Sequence, residues 1–81
     1  MSEQQRRLVR SFTAVFPWLT AEEIRNIRAE SSECWDSLSA VTLAAVVEEE
    51  FGLDIAPEIL PNLDSFAAFE RYLRQLNLDE N

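Results

Sequence analysis

Eighty-one residues, 47% of them apolar, suffice for one small domain, and that apolar share argues against intrinsic disorder. Fifteen acidic residues against seven basic ones give a net charge of −8, which disfavours DNA or an anionic membrane as a main partner, since both draw on clustered positive charge. The cations are all arginine, there is no histidine and there is one cysteine; an acid–base catalyst of its own, a His-built or thiolate metal site and an intramolecular disulfide therefore lack their residues.

Residues 3–16 carry Leu8, Phe12, Val15 and Phe16, and then Leu19, at three- and four-residue steps. This is the pattern of an amphipathic helix, with Arg6, Arg7, Arg10 and Ser11 turned outward as a solvated face. Pro17 stops it, because proline lacks a backbone N–H and biases the residue before it away from helix. Thr20-Ala21-Glu22-Glu23 has the capping-box pattern and predicts a short helix over 21–28, with Ile24 and Ile27 inward. Residues 29–35 lack periodicity and read as a loop, in which Trp35 covers the core and Cys34 is a partly buried small residue.

Asp36 or Ser37 caps the strongest helix, which runs to about Phe51 and ends at Gly52, the chain's single glycine, in the C′ position. Residues 53–63 form a connector anchored by Ile55, Ile59, Leu60 and Leu63, with one helical turn after Pro57. Asp64 or Ser65 caps a final helix bearing Phe66, Phe69, Leu73 and Leu76 at helical spacing. Residues 77–81 read as a polar, frayed tail beyond an ordered core of about 3–76. No strand pattern alternates, so the class is all-α: three main helices plus short extra turns in one domain over 1–81. No apolar run approaches the roughly 20 residues of a membrane span, and the polar start leads into no secretory segment. With a lone cysteine, the expected setting is cytoplasmic and reducing.

Charge divides along the chain. Residues 1–28 hold five Arg against three acids, a net of +2, and residues 29–81 hold two Arg against twelve acids, a net of −10. On a helical wheel starting at Ser37, the residues Ala40, Leu43, Ala44, Val47 and Phe51 share one sector suited to a core. A second sector holds Ser37, Leu38, Val41, Thr42, Ala45, Glu48 and Glu49, part apolar and rimmed by acids. Either that face meets a partner, or Leu38, Val41 and Ala45 pack under the connector. Three acids at a helix C-terminus oppose its dipole, which makes a docking role plausible for Glu48 and Glu49. Glu50 lies nearer the core side, where its carboxylate is expected to reach solvent at the edge.

Asp36-Ser37-Leu38 opening an apolar helix, Val47-Glu48-Glu49-Glu50-Phe51-Gly52 closing it, and Leu53-Asp54-Ile55 following it together resemble an acyl carrier protein. The Trp35-Asp36-Ser37-Leu38 form is similar to specialised stand-alone carriers and to carrier domains of polyketide, peptide and lipid pathways. The resemblance is strongest over residues 35–55. It implies an acyl-carrier-like four-helix bundle, with three main helices, a short third helix and an extra short helix in the first loop.

It further implies that Ser37 carries pantetheine 4′-phosphate covalently, with Asp36 and Leu38 beside it in the cofactor site, installed from coenzyme A by a separate phosphopantetheinyl transferase that reads the surface holding Asp36. The chain would then be no enzyme but a shuttle for acyl, aminoacyl or polyketide groups held as thioesters. Implied partners, besides the transferase, are an acyl or aminoacyl ligase or acyltransferase and a ketosynthase-type or condensing enzyme. They would meet a monomer on a face of Leu38, Val41, Thr42, Ala45, Glu48 and Glu49. Neither a nucleic acid nor membrane insertion is implied, and no metal.

Three departures bear on the pathway. Glu33-Cys34 replaces the usual Leu-Gly, and Thr42 and Ser39 stand where primary fatty-acid carriers usually have Glu and often Asp. A carrier dedicated to one pathway fits better than the housekeeping fatty-acid carrier. The alternative from another class is a helical interaction domain with Ser37 unmodified. A Ser hydrolase is rejected, since the chain has neither a base nor the scaffold for an oxyanion hole. Ser65, in Asp64-Ser65-Phe66, is the control: it reads as a helix cap only.

Overall fold

The computed structural model describes residues 2–76; the tail expected at 77–81 lies outside them. Four α-helices follow in order: α1 (Glu3–Val15), α2 (Ala21–Arg25), α3 (Ser37–Phe51) and α4 (Phe66–Gln75), with 3-10 turns at Ala29–Ser31 and Leu60–Asn62. The described residues contain no strand, only an isolated antiparallel bridge between Arg28 and Ser65. The all-α bundle expected from periodicity is the one observed.

Each start is set by a short polar side chain that satisfies a backbone N–H the helix leaves unpaired. Ser2 accepts from Gln5, Thr20 from Glu23 and Ser65 from Ala68. At α2 the capping box is complete, for the Glu23 carboxylate also accepts the Thr20 N–H at 2.8 Å. α1 stops at Val15 with Phe16 as its cap, as Pro17 requires.

Gly52 ends α3 in the left-handed region, at φ 66° and ψ 43°. A Cβ built there would meet nothing within 4 Å, so Gly52→Ala costs conformational energy alone. That penalty is about 1–2 kcal/mol, to be read as a lowered midpoint in urea unfolding with an unchanged slope. A cost near zero would mean that the helix end had re-formed without the left-handed residue.

The second helix is shorter than expected, ending at Arg25 rather than residue 28. The reason is tertiary. Ala29 donates its N–H to the Asp64 carbonyl at 2.8 Å, and Phe66 donates to the Ile27 carbonyl at 3.2 Å. These bonds take 27–29 out of helical conformation and fasten the first long loop to the start of α4; Ile24 and Ile27 are buried all the same. In the connector, the helical turn expected after Pro57 is the 3-10 turn Leu60–Asn62.

The core gathers α1, α3, α4 and the loop residues between them. Phe12 is its centre, with ring centroids 5.2 Å from Phe66, 5.5 Å from Phe69, 5.7 Å from Trp35 and 6.4 Å from Phe16. Leu8, Ile24, Leu43, Val47 and Leu73 are fully enclosed around it. Leu43, Ala44 and Val47 face inward from α3 as the wheel requires, with Ala40 and Phe51 partly buried at the edge. Val15 and Leu19 are only half-buried, and Leu76, at the end of α4, is 42% exposed.

The face of α1 departs most from expectation. Ser11 is buried, its hydroxyl donating to the Arg7 carbonyl one turn back at 3.1 Å, which satisfies the group locally and lets it sit inside. Gln4 is buried as well. Arg7 is not a solvated side chain: its Nε donates to the Glu50 carboxylate at 2.9 Å, another guanidinium N–H reaches the Glu50 carbonyl, and its Cζ lies 4.6 Å from the Phe51 ring centroid. The Glu50 carboxylate stays partly exposed at the edge, as expected, and is paired there with α1. This clasp holds the start of α1 against the end of α3 and puts a cation where the dipole of α3 favours one.

Both partners in the clasp are about a third exposed (34% and 29%), so solvent screens the pair. Arg7→Met is expected to cost about 1–2 kcal/mol, and Arg7→Lys to recover only part, since an ammonium cannot reproduce the guanidinium fork. Urea unfolding at low and high salt checks both; equal stability of wild type and Arg7→Met would remove the clasp from the stabilising contacts. Arg6, by contrast, makes only an exposed pair with Glu3 at 2.7 Å. Gln5 ties α1 to α4 by donating to the Glu70 carboxylate at 2.9 Å.

Candidate functional site

The start of α3 is built from the loop before it. Trp35 is buried, its ring 5.7 Å from Phe12 and 6.0 Å from Phe16, and this anchoring fixes where the next residues emerge. Asp36 is the N-cap: its extended backbone turns the chain into the helix and its carboxylate accepts the Ser39 N–H at 2.8 Å. That hydrogen bond, above all, lowers the Asp36 pKa. A lowered carboxyl pKa adds stability above its unfolded value and loses it as the pH falls through the folded one, so the cap is intact at neutral pH.

Ser37 is the first residue of α3, not its cap. Its side chain is exposed and, among the described residues, its hydroxyl has no hydrogen-bond partner. Ser65 is the opposite case, an N-cap whose oxygen accepts the Ala68 N–H at 3.0 Å. Of two serines at helix starts, one works for the helix and the other is left free.

A free hydroxyl at this place suits an attached phosphodiester. The positive end of the α3 dipole favours an anion there, and a shallow groove of about 210 Å³ adjoins it. Trp35, Ala40, Leu60, Pro61 and Leu63 line that groove beside Asp36 and Ser37. The chain supplies no base to Ser37: Asp36 is committed to the cap, and neither histidine nor lysine occurs in the sequence. Among the described residues no cluster of potential metal ligands forms.

The second face of α3 is open. Leu38 is 75% and Val41 55% exposed, with Thr42, Ala45 and Glu49 also exposed. The alternative in which Leu38, Val41 and Ala45 pack under the connector is therefore excluded. The Thr42 hydroxyl donates to the Leu38 carbonyl at 2.9 Å, which leaves its methyl on the surface.

Glu48 departs from that face. It is half-buried, and its carboxylate accepts the Ile55 N–H at 2.7 Å, so it holds the connector to α3. Sequence spacing signals no bond between residues seven apart across a glycine turn. Glu48 and Glu49 do flank a recess of about 460 Å³ with Ala45, Leu53 and Asp54.

Two further features escaped the sequence pattern. Cys34 is half-buried as expected, yet its Sγ sits 3.2 Å from the Ser32 hydroxyl. Trp18, which belongs to no periodic segment, is 64% exposed. The one signal for it was its place after Pro17, outside any helix.

Against this geometry stand the comparisons with known proteins. Residues 35–73 match the family model described as phosphopantetheine attachment site, in agreement with a member of the acyl carrier protein family. That family carries covalently attached 4′-phosphopantetheine, and its domains serve as carriers. Neither a curated protein nor a solved structure matches the chain.

Proposed function

From that match we propose that the chain is an acyl carrier protein whose Ser37 bears 4′-phosphopantetheine. The observation that carries the assignment of the residue is the unpartnered, exposed Ser37 hydroxyl on the first turn of α3, inside the matched segment. When bound, the arm supplies a thiol that holds acyl, aminoacyl or polyketide groups as thioesters.

The chain's own residues do three things. Asp36 caps α3, fixing the direction in which Ser37 points, and it lies with Leu38 on the surface that the transferase reads. Trp35 anchors the loop so that this geometry is held without ligand. Leu38, Val41, Thr42, Ala45 and Glu49 offer partners a mixed apolar and acidic face, while Glu48 serves mainly to hold the connector. In the loading step the Ser37 oxygen attacks the phosphopantetheine phosphorus of coenzyme A. One O–P bond forms, the bond to adenosine 3′,5′-bisphosphate breaks, and the hydroxyl proton passes to a base of the transferase.

The chain acts as one carrier unit, non-catalytic and cytoplasmic, dedicated to a single biosynthetic pathway. Its loading ligase or acyltransferase and its condensing enzyme approach the acidic side. No helix among the described residues is long and apolar enough to cross a membrane. The test is intact mass after incubation with coenzyme A, Mg²⁺ and a broad-specificity phosphopantetheinyl transferase. One added phosphopantetheine on the folded chain is expected; none would favour a helical interaction domain that keeps the fold without the modification.

A further inference from the structure

Trp18 is the one aromatic residue of the core region that the fold leaves in water. It is 64% exposed, whereas Phe12, Phe16, Trp35, Phe66 and Phe69 are buried. Nor is it a loose side chain. Pro17 precedes it, the Leu19 N–H closes a turn on the Phe16 carbonyl at 3.2 Å, and its ring stands edge-on to Phe16 at 5.9 Å. A large apolar ring that already rests on a buried neighbour has less rotamer freedom to lose on docking than one that touches nothing. Such a residue is what interface hot spots are made of.

Its position says which interface. α1 and α3 run antiparallel: Arg7 in the first half of α1 clasps Glu50 near the end of α3, and Phe12 in the second half of α1 packs on Trp35 just before α3; the end of α1 thus lies beside the start of α3. Two ring-to-ring steps, 5.9 Å from Trp18 to Phe16 and 6.0 Å from Phe16 to Trp35, reach the residue two before Ser37. A standard interface covers about 800 Å² on each partner, a disc roughly 16 Å in radius. Trp18 and Ser37 thus lie at the same end of the bundle, where one interface of this size can span both.

Resting on the carrier reading above, we propose that Trp18 is an anchor for the phosphopantetheinyl transferase, filling an apolar pocket beside that enzyme's active site. Leu38, 75% exposed next to Ser37, is the second apolar contact. Glu22, four residues after Trp18, and Glu33 and Asp36, shortly before Leu38, are exposed and call for a basic rim on the transferase. The docking surface thus bends off α3 and across the end of the bundle.

The experiment is steady-state phosphopantetheinylation of wild type, Trp18→Ala, Trp18→Phe and Leu76→Ala by one broad-specificity transferase, with unfolding curves for each. Leu76 is a control at the other end of the molecule, because the Gln5–Glu70 bond joins that part of α4 to the start of α1. Trp18→Ala is expected to raise KM at least tenfold with little change in kcat, Trp18→Phe to recover most of the loss, and Leu76→Ala to match wild type. A folded Trp18→Ala with wild-type KM overturns the anchor and leaves the carrier reading intact. No modification of the wild type overturns both.

Discussion

Ser37→Ala is expected to fold as the wild type does and to gain no phosphopantetheine under conditions that convert the wild type fully. The hydroxyl it removes is exposed and bonded to nothing among the described residues, so its loss belongs with ordinary surface changes, within about 0.5 kcal/mol. Alanine is also a good helix former, and the cap itself is Asp36. Ser65→Ala should give the reverse pattern. It deletes an oxygen that accepts the Ala68 N–H and so costs about 1 kcal/mol, yet it leaves modification untouched.

The pair of variants separates a helix cap from an attachment point, which either mutation alone would leave confounded. Unfolding midpoints and intact masses on both proteins decide it. Residual modification of Ser37→Ala would move the attachment to another hydroxyl. Destabilisation of Ser37→Ala by a full kcal/mol would mean that the serine works for the helix after all.

The contrast between these two serines also marks how far the sequence could be read. Both stand where an acid and a serine open a helix, and local spacing alone leaves open which of the two residues caps. At α3 the acid does it, and at α4 the serine. Which one wins depends on the direction of the incoming chain: Trp35 pins it before α3, and the Arg28–Ser65 bridge pins it before α4. That information is tertiary.

The helices themselves were legible, because their apolar periodicity and their stops at Pro17 and Gly52 are local. The two apolar sectors of α3 were legible as well, but not that the second is open: helical spacing leaves packing under the connector equally possible, and only the exposure of Leu38 and Val41 decides it. What stayed hidden were polar groups whose partners lie far away in sequence, Arg7 with Glu50 and the loop carbonyl of Asp64 with Ala29. Charge patterning along α1 places Arg7 and Ser11 in solvent. It carries no sign that the end of another helix offers the one a carboxylate, or that the other can satisfy itself on its own backbone.

Phe12→Ala is expected to leave the chain barely folded. Its ring packs against four other aromatic rings, drawn from the end of α1, the loop before α3 and the first turns of α4, so no single neighbour can collapse into the space. Truncation of a buried Phe costs about 3–5 kcal/mol, rising with the volume left unfilled. A chain of this length has of order 4–12 kcal/mol in all, so the loss takes a large share of it. At about 4–8 °C per kcal/mol for a domain this small, the melting temperature should fall by roughly 12–40 °C.

Phe12→Leu, which refills part of the volume, should lose less. Thermal and urea unfolding read both variants, and a loss under about 1 kcal/mol for Phe12→Ala would displace Phe12 from the centre of the core. The consequence reaches the site. Trp35 is held by Phe12 and Phe16, and Trp35 sets where Asp36 and Ser37 emerge. A Phe12 variant that still folds should therefore be modified more slowly than its folded fraction accounts for, because the loop that aims Ser37 has lost its footing.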